Sequence, residues 1–234
     1  MKAYQIQHHG GTEVLQIVDL PEPEPRNGEV MVRVTHVGLN HLDIWVRRGV
    51  ESHHFPLPLI PGSDVVGIRE DTGDPVVLHP GFGCLNCPTC DVGQHNLCRR
   101  YAIRGETVHG GMCERLAVPE EHLLPCPIDP AKAASLPLSL LTAWHMLVRR
   151  ANIRTGDKVL IQAGASGVGS LAIQVAKIHG AEVAITASTP EKRQQCLEWG
   201  ADFAWEYGAV KNNVRSWTNK RGVDIVLDHV GTDT

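Results

Sequence analysis

The chain has 234 residues, of which 42% are hydrophobic and 21% charged, as in a soluble globular protein with one large or two ordinary domains. Its formal charge of −4, with both signs scattered, gives no reason to propose nucleic acid or a membrane as a partner. Seven cysteines, an odd number, argue against a secreted disulfide framework, and no apolar run resembles a signal peptide or a membrane span. We therefore expect a cytoplasmic protein.

Residues 1–125 contain short, separated strand patterns with proline and glycine between them. Glu29–Val37 alternates between apolar and other side chains, as a half-buried strand does. Further short strands are predicted at Val65–Ile68, Pro75–His79 and near Glu114–Val118. This pattern predicts a small, barrel-like β domain over residues 1–125.

A cysteine-rich lobe at residues 83–99 interrupts the strand pattern. Thiolates at this spacing can surround one ion, and four sulfurs without an oxygen ligand point to tetrahedral zinc. An iron–sulfur cluster, which also uses four thiolates, and unrelated free thiols are the alternatives. Because a closed shell of sulfurs leaves no position for substrate, the single zinc should be structural. The predicted ligands are Cys84, Cys87, Cys90 and Cys98.

Strands and helices alternate in residues 126–234, which we assign to a second domain. The predicted strands are 158–162, 182–187, 202–206 and 223–228, and the predicted helices are 167–179, 190–199 and 209–219. Such alternation indicates a parallel sheet with helices on its faces, and therefore an α/β fold after the all-β domain.

A glycine-rich turn joins the first strand of this domain to its first helix. Glycines permit a tight turn and a close approach to a ligand, and the first amides of the helix have no partner inside it. The helix dipole favours an anion there, so we predict a bound dinucleotide pyrophosphate. The alternative is a plain glycine-rich connector. The predicted contacts are Gly164, Ser166, Gly167, Val168 and Gly169.

The end of the second strand bears on the choice between NAD and NADP. An acidic residue there would accept the ribose hydroxyls of NAD and repel the extra phosphate of NADP. The sequence instead has Ser188 and Thr189, with Lys192 and Arg193 nearby. We predict NADP(H), with Ser188 and Lys192 at the phosphate. Alternatively, Ser188 or Thr189 simply caps the next helix.

Taken together, these motifs resemble the medium-chain dehydrogenase/reductase family, the group of zinc-containing alcohol dehydrogenases and quinone oxidoreductases. The resemblance covers the whole chain. It implies a chaperonin-10-like β barrel, then a partial Rossmann doubly wound sheet, with a structural zinc and hydride transfer in the cleft between the domains. Besides the cysteine lobe and the glycine turn, it rests on Gly38–Asp43, Pro61–Asp64, Gly110-Gly111, Leu138–Trp144 and Asp228–Gly231.

The family's catalytic-zinc ligands are replaced in this chain. Asn40, Ser63 and Leu138 stand where those members place a cysteine, a histidine and often a second cysteine. The hydroxyl and histidine of the family's proton relay would fall at Leu42 and Trp45. The resemblance therefore implies an active site without zinc, and favours reduction of a quinone or an activated alkene over oxidation of a simple alcohol.

Polar residues in these motifs are the candidates for contact with the nicotinamide and the substrate. Asn40 would hydrogen-bond the cofactor or a substrate carbonyl, and Asp43 would orient that group. Thr142 resembles the family's residue beneath the nicotinamide. His41 is a weaker candidate for a proton donor. Gly231, from Asp228–Gly231, completes the predicted cofactor contacts.

The predicted function is that of an NADP(H)-dependent oxidoreductase acting on a small molecule. A homo-oligomer is the one protein partner considered. Alcohol dehydrogenation and a non-catalytic zinc- and nucleotide-binding module are the alternatives. By resemblance a further segment would follow Thr234, so we expect either a fragment or a truncated relative.

Overall fold

The first part of the chain is built mainly from short strands that pair in antiparallel fashion. The structure, a computed structural model, describes residues 1–231. The first part contains β1 Lys2–Ile6, β2 Leu15–Asp19, β3 Glu29–Gly38, α1 His41–Arg48, β4 Asp64–Arg69, β5 Pro75–Leu78, β6 Gly81–Phe82, α2 Pro88–Asp91, β7 Ala102–Ile103, β8 Arg115–Pro119, β9 Leu123–Pro125 and α3 Pro130–Ala133.

Five of these strands form one antiparallel sheet in the order β8-β3-β4-β5-β9. The alternation predicted for β3 is confirmed, because Val32 is fully buried while Val30 and Val34 pack against the same core. A register shift between Val34 and His36 interrupts the pairing of β3 with β4, as a bulge does where a sheet curves. The strands β1 and β2 pair separately, as do β6 and β7.

The first compact unit runs from Met1 to Leu138. Ala133 and Ala134 pack against Val66 of β4, and a Cβ on Gly38 would lie 1.8 Å from the carbonyl oxygen of Ala134. Residues 126–138 therefore pack with the first part, although the sequence analysis assigns them to the second domain. The domain boundary at residues 125 and 126 stays a prediction.

Four parallel strands form the sheet of the second unit, Ser139–Thr234, in the order β12-β11-β10-β13. Ile161, Ile185 and Leu227 from this sheet are buried with Ile173 of α5. This architecture confirms the predicted fold class. No helix within residues 1–231 has the length and apolar character needed to cross a membrane. The elements are α4 Pro137–Trp144, a π-helical segment His145–Arg150, β10 Lys158–Ile161, α5 Gly167–Ile178, β11 Glu182–Thr186, α6 Pro190–Glu198, β12 Phe203–Trp205, α7 Val210–Trp217 and β13 Ile225–Leu227.

Candidate functional site

The turn between β10 and α5 exposes two unpaired backbone donors. Ser166 caps the helix, because its Oγ accepts the N–H of Gly169 at 3.0 Å. The N–H of Ser170 donates to the carbonyl oxygen of Ser166 at 2.9 Å. Within the described residues, the N–H groups of Gly167 and Val168 have no acceptor. Two free donors at the positive end of a helix dipole suit a phosphate.

Two glycines of this turn are required by the packing of the chain on itself. A Cβ on Gly164 would lie 2.6 Å from the Cβ of Ile185, and one on Gly169 would lie 2.4 Å from the carbonyl oxygen of Ala163. Gly167 is exposed, and a Cβ there would meet only the Oγ of Ser139, at 3.1 Å. Glycine is therefore needed at Gly164 and Gly169 for close packing, whereas a side chain on Gly167 would require only a shift of the Ser139 hydroxyl.

His229, which follows β13, touches the same turn. Its Nε2 lies 2.7 Å from the Oγ of Ser166. Burial lowers the pKa of His229 and favours the neutral imidazole. This histidine belongs to the quoted motif Asp228–Gly231 but is not among the predicted site residues. Its place after the carboxyl end of a parallel strand, where ligands bind in such sheets, was the available signal. Gly231, with φ +92°, donates its N–H to Asp228 Oδ1 at 3.1 Å.

The tip of β11 carries a serine and two basic side chains. Thr189 caps α6, since its Oγ1 accepts the N–H of Lys192 at 3.3 Å. This confirms the capping role considered for Thr189. Ser188 and Lys192 are exposed. The guanidinium of Arg193 is held at the strand tip, donating to the carbonyl oxygens of Ala187 at 3.0 Å and Ser188 at 3.3 Å.

Asn40 is hydrogen-bonded to two carboxylates in the first unit. Asp43 Oδ2 accepts the backbone N–H of Asn40 at 2.7 Å, and Asp43 Oδ1 accepts that of Gly62 at 3.0 Å. The side-chain Nδ2 of Asn40 donates to Asp64 Oδ2 at 2.9 Å, while Asp64 Oδ1 accepts the N–H of Leu138 at 2.7 Å. Asp43 therefore holds the Asn40 backbone, and Asp64 holds its carboxamide.

Both carboxylates are shielded from solvent. Asp64 is 1% exposed, and burial, with a smaller contribution from the charge of Asp43, raises its pKa to about 6. The hydrogen bonds from Asn40 and Leu138 oppose this rise. Burial also raises the pKa of Asp43. Asp64 is not among the predicted site residues, although an aspartate at the start of an apolar strand was a signal for a buried charge.

A cavity of about 340 Å³ lies beside Asn40 and Asp43. Leu39, Ile44 and Met112 contribute apolar wall. His41 also lines the cavity and is exposed, with its ring centroid 5.0 Å from that of Trp45.

The next two positions are Ser63, which replaces a zinc ligand of the family, and Thr142, which is predicted to lie beneath the nicotinamide. Ser63 is fully buried, and its hydroxyl donates to the carbonyl oxygen of Arg104 at 2.7 Å. Thr142 is half-buried on α4 and belongs to the second unit, whereas Asn40 and Asp43 belong to the first. The structure therefore brings Asn40 and Asp43 together, and the role of Thr142 stays a prediction.

The cysteine lobe brings its four thiols together. Their sulfur atoms all lie within 4.8 Å of one another, and Cys87 Sγ is 3.9 Å from Cys98 Sγ. Zn–S bonds of about 2.3 Å in a tetrahedron place the sulfurs about 3.8 Å apart, so the cluster fits one zinc ion. Within residues 1–231, no other group of three or more cysteine, histidine or acidic side chains is arranged to hold a metal.

The backbone of the lobe is shaped around these sulfurs. A Cβ on Gly83 would lie 2.7 Å from Cys90 Sγ, so only glycine allows this approach. The N–H groups of Cys84 and Arg100 donate to Cys98 Sγ at 3.4 and 3.3 Å. The N–H of Asn86 is the main cause that lowers the pKa of the Cys84 thiol to about 6, whereas burial, with the neighbouring thiols, raises the pKa of the Cys90 thiol.

Two family models match the chain, in the same order as the two predicted domains. A model described as an alcohol dehydrogenase GroES-like domain matches residues 26–128. One described as zinc-binding dehydrogenase matches residues 167–234. These matches agree with a chaperonin-10-like barrel followed by a nucleotide-binding sheet.

Individual relatives extend the similarity over nearly the whole chain. Quinone oxidoreductase of Homo sapiens is 28% identical over 97% of this chain, and an NADPH-dependent alkenal/one oxidoreductase, chloroplastic, of Arabidopsis thaliana is 36% identical over 99%. A solved NAD-dependent alcohol dehydrogenase is 42% identical with a TM-score of 0.94, covering 99% of this chain and 71% of that one. The chain spans 66% and 58% of the length of the human and Arabidopsis relatives.

Proposed function

Because the chain belongs to the medium-chain dehydrogenase/reductase family of oxidoreductases, we propose that it transfers hydride between NADP(H) and a quinone, enone or similar carbonyl-activated substrate. The nicotinamide supplies the hydride chemistry when it is bound, and the protein binds and orients the reactants. The observation that carries the proposal is the pair of free N–H groups at Gly167 and Val168, at the start of α5.

These two groups would bind the pyrophosphate. Both belong to the first turn of a helix whose cap, Ser166, already satisfies Gly169. The other predicted contacts support the turn: Gly164 and Gly169 allow α5 to approach the sheet. We add His229 to this set as the residue that fixes Ser166, since its Nε2 lies 2.7 Å from the serine hydroxyl oxygen.

NADP(H) is favoured over NAD(H) by the strand tip. The exposed Ser188 offers a hydroxyl, and Lys192 and Arg193 offer positive charge, where an NAD-binding site would have an acidic residue. We assign the larger part of the attraction to Arg193, because its guanidinium is already fixed at this tip. The Arabidopsis relative is NADPH-dependent by name.

Substrate chemistry is proposed from Asn40. Its carboxamide would hydrogen-bond a substrate carbonyl or the cofactor, with Asp43 holding its backbone. Thr142 would contact the nicotinamide. Asn40 and Ser63 offer neither a thiolate nor an imidazole, so a catalytic zinc is not part of the proposal. Reduction of a quinone or an activated alkene needs no such ion.

One zinc, held by Cys84, Cys87, Cys90 and Cys98, is proposed as a structural ion. Sulfurs within 4.8 Å of one another favour a single central ion over separate free thiols. No disulfide joins any of the seven cysteines, as expected of the reducing, cytoplasmic location that we propose.

Alcohol dehydrogenation is the second candidate. The observation that favours it is the 42% identity to a solved alcohol dehydrogenase. It predicts oxidation of alcohols with NAD, and a second metal ion per chain. A small-molecule substrate is common to both candidates.

The test is a matched set of assays on the purified, zinc-loaded chain. Nicotinamide fluorescence measures binding of NADPH and NADH, and absorbance follows NADPH oxidation with a quinone and with an enone. We expect tighter binding of NADPH and its oxidation by one of the two acceptors. Alcohol oxidation with two metal ions per chain would support the second candidate. Nucleotide binding without any turnover would identify a binding module instead.

A further inference from the structure

The carboxamide of Asn40 is tied to the side chain of Asp64. The bond from Asn40 Nδ2 to Asp64 Oδ2 measures 2.9 Å and connects residues that are far apart in the chain. A carboxylate can only accept hydrogen bonds, so it selects the nitrogen end of the carboxamide and excludes the oxygen end. Which atoms Asn40 presents to a ligand therefore depends on Asp64.

We infer that Asp64 is a positioning residue, whose ionised carboxylate fixes the Asn40 carboxamide in the orientation that binds the substrate carbonyl or the cofactor. The inference rests on the proposed function and deepens it. Asp64 is itself held rigidly, since its other oxygen accepts the N–H of Leu138 at 2.7 Å and the residue is 1% exposed.

Protonation of Asp64 would reverse this arrangement. Because Oδ1 must remain an acceptor for Leu138, the proton would reside on Oδ2, facing the Asn40 amide. Two donors would then oppose each other, and the carboxamide would turn to present its oxygen to Asp64. The orientation of the Asn40 amide would then depend on one proton.

The surroundings of Asp64 place this change in an accessible pH range. Asp43, on α1, is the one charged side chain among residues 1–231 that acts on Asp64, and its negative charge favours the protonated form, as burial does. On β3 the residue opposite Asp64 is Gly38, which has no side chain. The Leu138 N–H and the Asn40 amide favour the ionised form. Together these effects bring the pKa to about 6.

The experiment follows the side-chain amide of Asn40 by NMR in the full chain labelled with ¹⁵N-asparagine. The resonance is assigned by its loss in an Asn40→Ala variant. We expect it to move between pH 5 and 7.5 with a midpoint near 6. In Asp64→Asn, the new amide presents a donor to Asn40 at every pH, so the resonance should stay at its low-pH position. In Asp43→Asn, removal of the neighbouring charge should shift the midpoint to lower pH.

An Asn40 resonance that is constant over this range in the parent, or that titrates equally in Asp64→Asn, would overturn the inference. The parent titration remains decisive if a variant does not fold. Turnover supplies a second readout: in Asp64→Asn we expect kcat with an enone to fall about tenfold or more. The parent should also lose turnover as the pH falls through 6, and this pH dependence should be absent from the variant. Absence of turnover in the parent would count against the proposed function alone, because the resonance reports the orientation of Asn40 without any reaction.

Discussion

Asp64 imposes a stability cost on the first unit above pH 6. Its pKa in the folded chain is about 6, compared with an ordinary value of 3.8, and burial is the main cause. A folded-state pKa above the unfolded value stabilises the protein at low pH, and this contribution is lost as the pH rises through 6. A functional residue that costs folding free energy is common at active sites.

The pH dependence of unfolding should therefore differ between the parent and Asp64→Asn. The variant keeps the shape of the side chain without its charge. Between pH 5 and pH 8, the free energy of unfolding of the parent should therefore fall by about 1 kcal/mol more than that of the variant. Urea denaturation of both proteins at the two pH values measures this difference. Parallel pH profiles for parent and variant would contradict a buried, titrating Asp64.

At the scale of the element, a substitution at the first residue of α5 can test ligand binding without disturbing the fold. Gly167 is the first helical residue, and its N–H is not used by the described chain. Proline is well tolerated at this position, where it removes only a donor that the helix does not need. Ser166, with φ −76° and ψ 168°, already has the extended conformation that a following proline requires.

Gly167→Pro should leave the fold intact and weaken the nucleotide site. Loss of one hydrogen bond to a charged phosphate corresponds to about 1.5 kcal/mol or more, and thus to an increase in the Kd of NADPH of about tenfold or more. Fluorescence titration measures the Kd, and thermal unfolding checks the fold. Gly208→Ala is the matched control, because a Cβ there meets nothing within 4 Å. Unchanged affinity in Gly167→Pro would show that this N–H does not bind the cofactor.

At the scale of the whole molecule, the zinc proposed in the cysteine lobe is expected to contribute to the stability of the first unit. Cys90→Ser would replace a buried member of the proposed ligand set, 6% exposed, by a poorer ligand. We expect loss of the bound zinc and a decrease in stability of several kcal/mol, since a structural zinc contributes directly to folding. Metal analysis and thermal unfolding measure the two effects. Cys126→Ser is the control, because this thiol contacts the carbonyl oxygen of Ile128, outside the lobe. Full zinc content in Cys90→Ser would refute the ligand set.

Local patterns allowed much of this molecule to be predicted. The alternation in β3 identified its buried face, and the spacing of four cysteines within residues 84–98 anticipated their meeting, because so short a segment limits where they can lie. The glycine turn likewise identified the start of α5. In each case the interacting residues are close in sequence, or the pattern has the period of one element.

Long-range partners were not accessible in the same way. Asp64 and Asn40 meet because β3 and β4 pair, and nothing in the sequence around either residue specifies that pairing. The requirement for Gly164 depends on Ile185 of the neighbouring strand. The packing of Ala133 and Ala134 against Val66 depends on the tertiary structure as well.

The shortness of the cysteine lobe also affects the order in which the first unit assembles. Its four sulfurs come from one segment, whereas β3 pairs with β8 from a distant part of the chain. The entropy lost on closing a loop grows with its length, so closure around an ion is the less costly event. Capture of the proposed zinc would therefore not have to wait for the sheet, and the lobe would then be a preformed anchor for the strands β6 and β7 on either side of it.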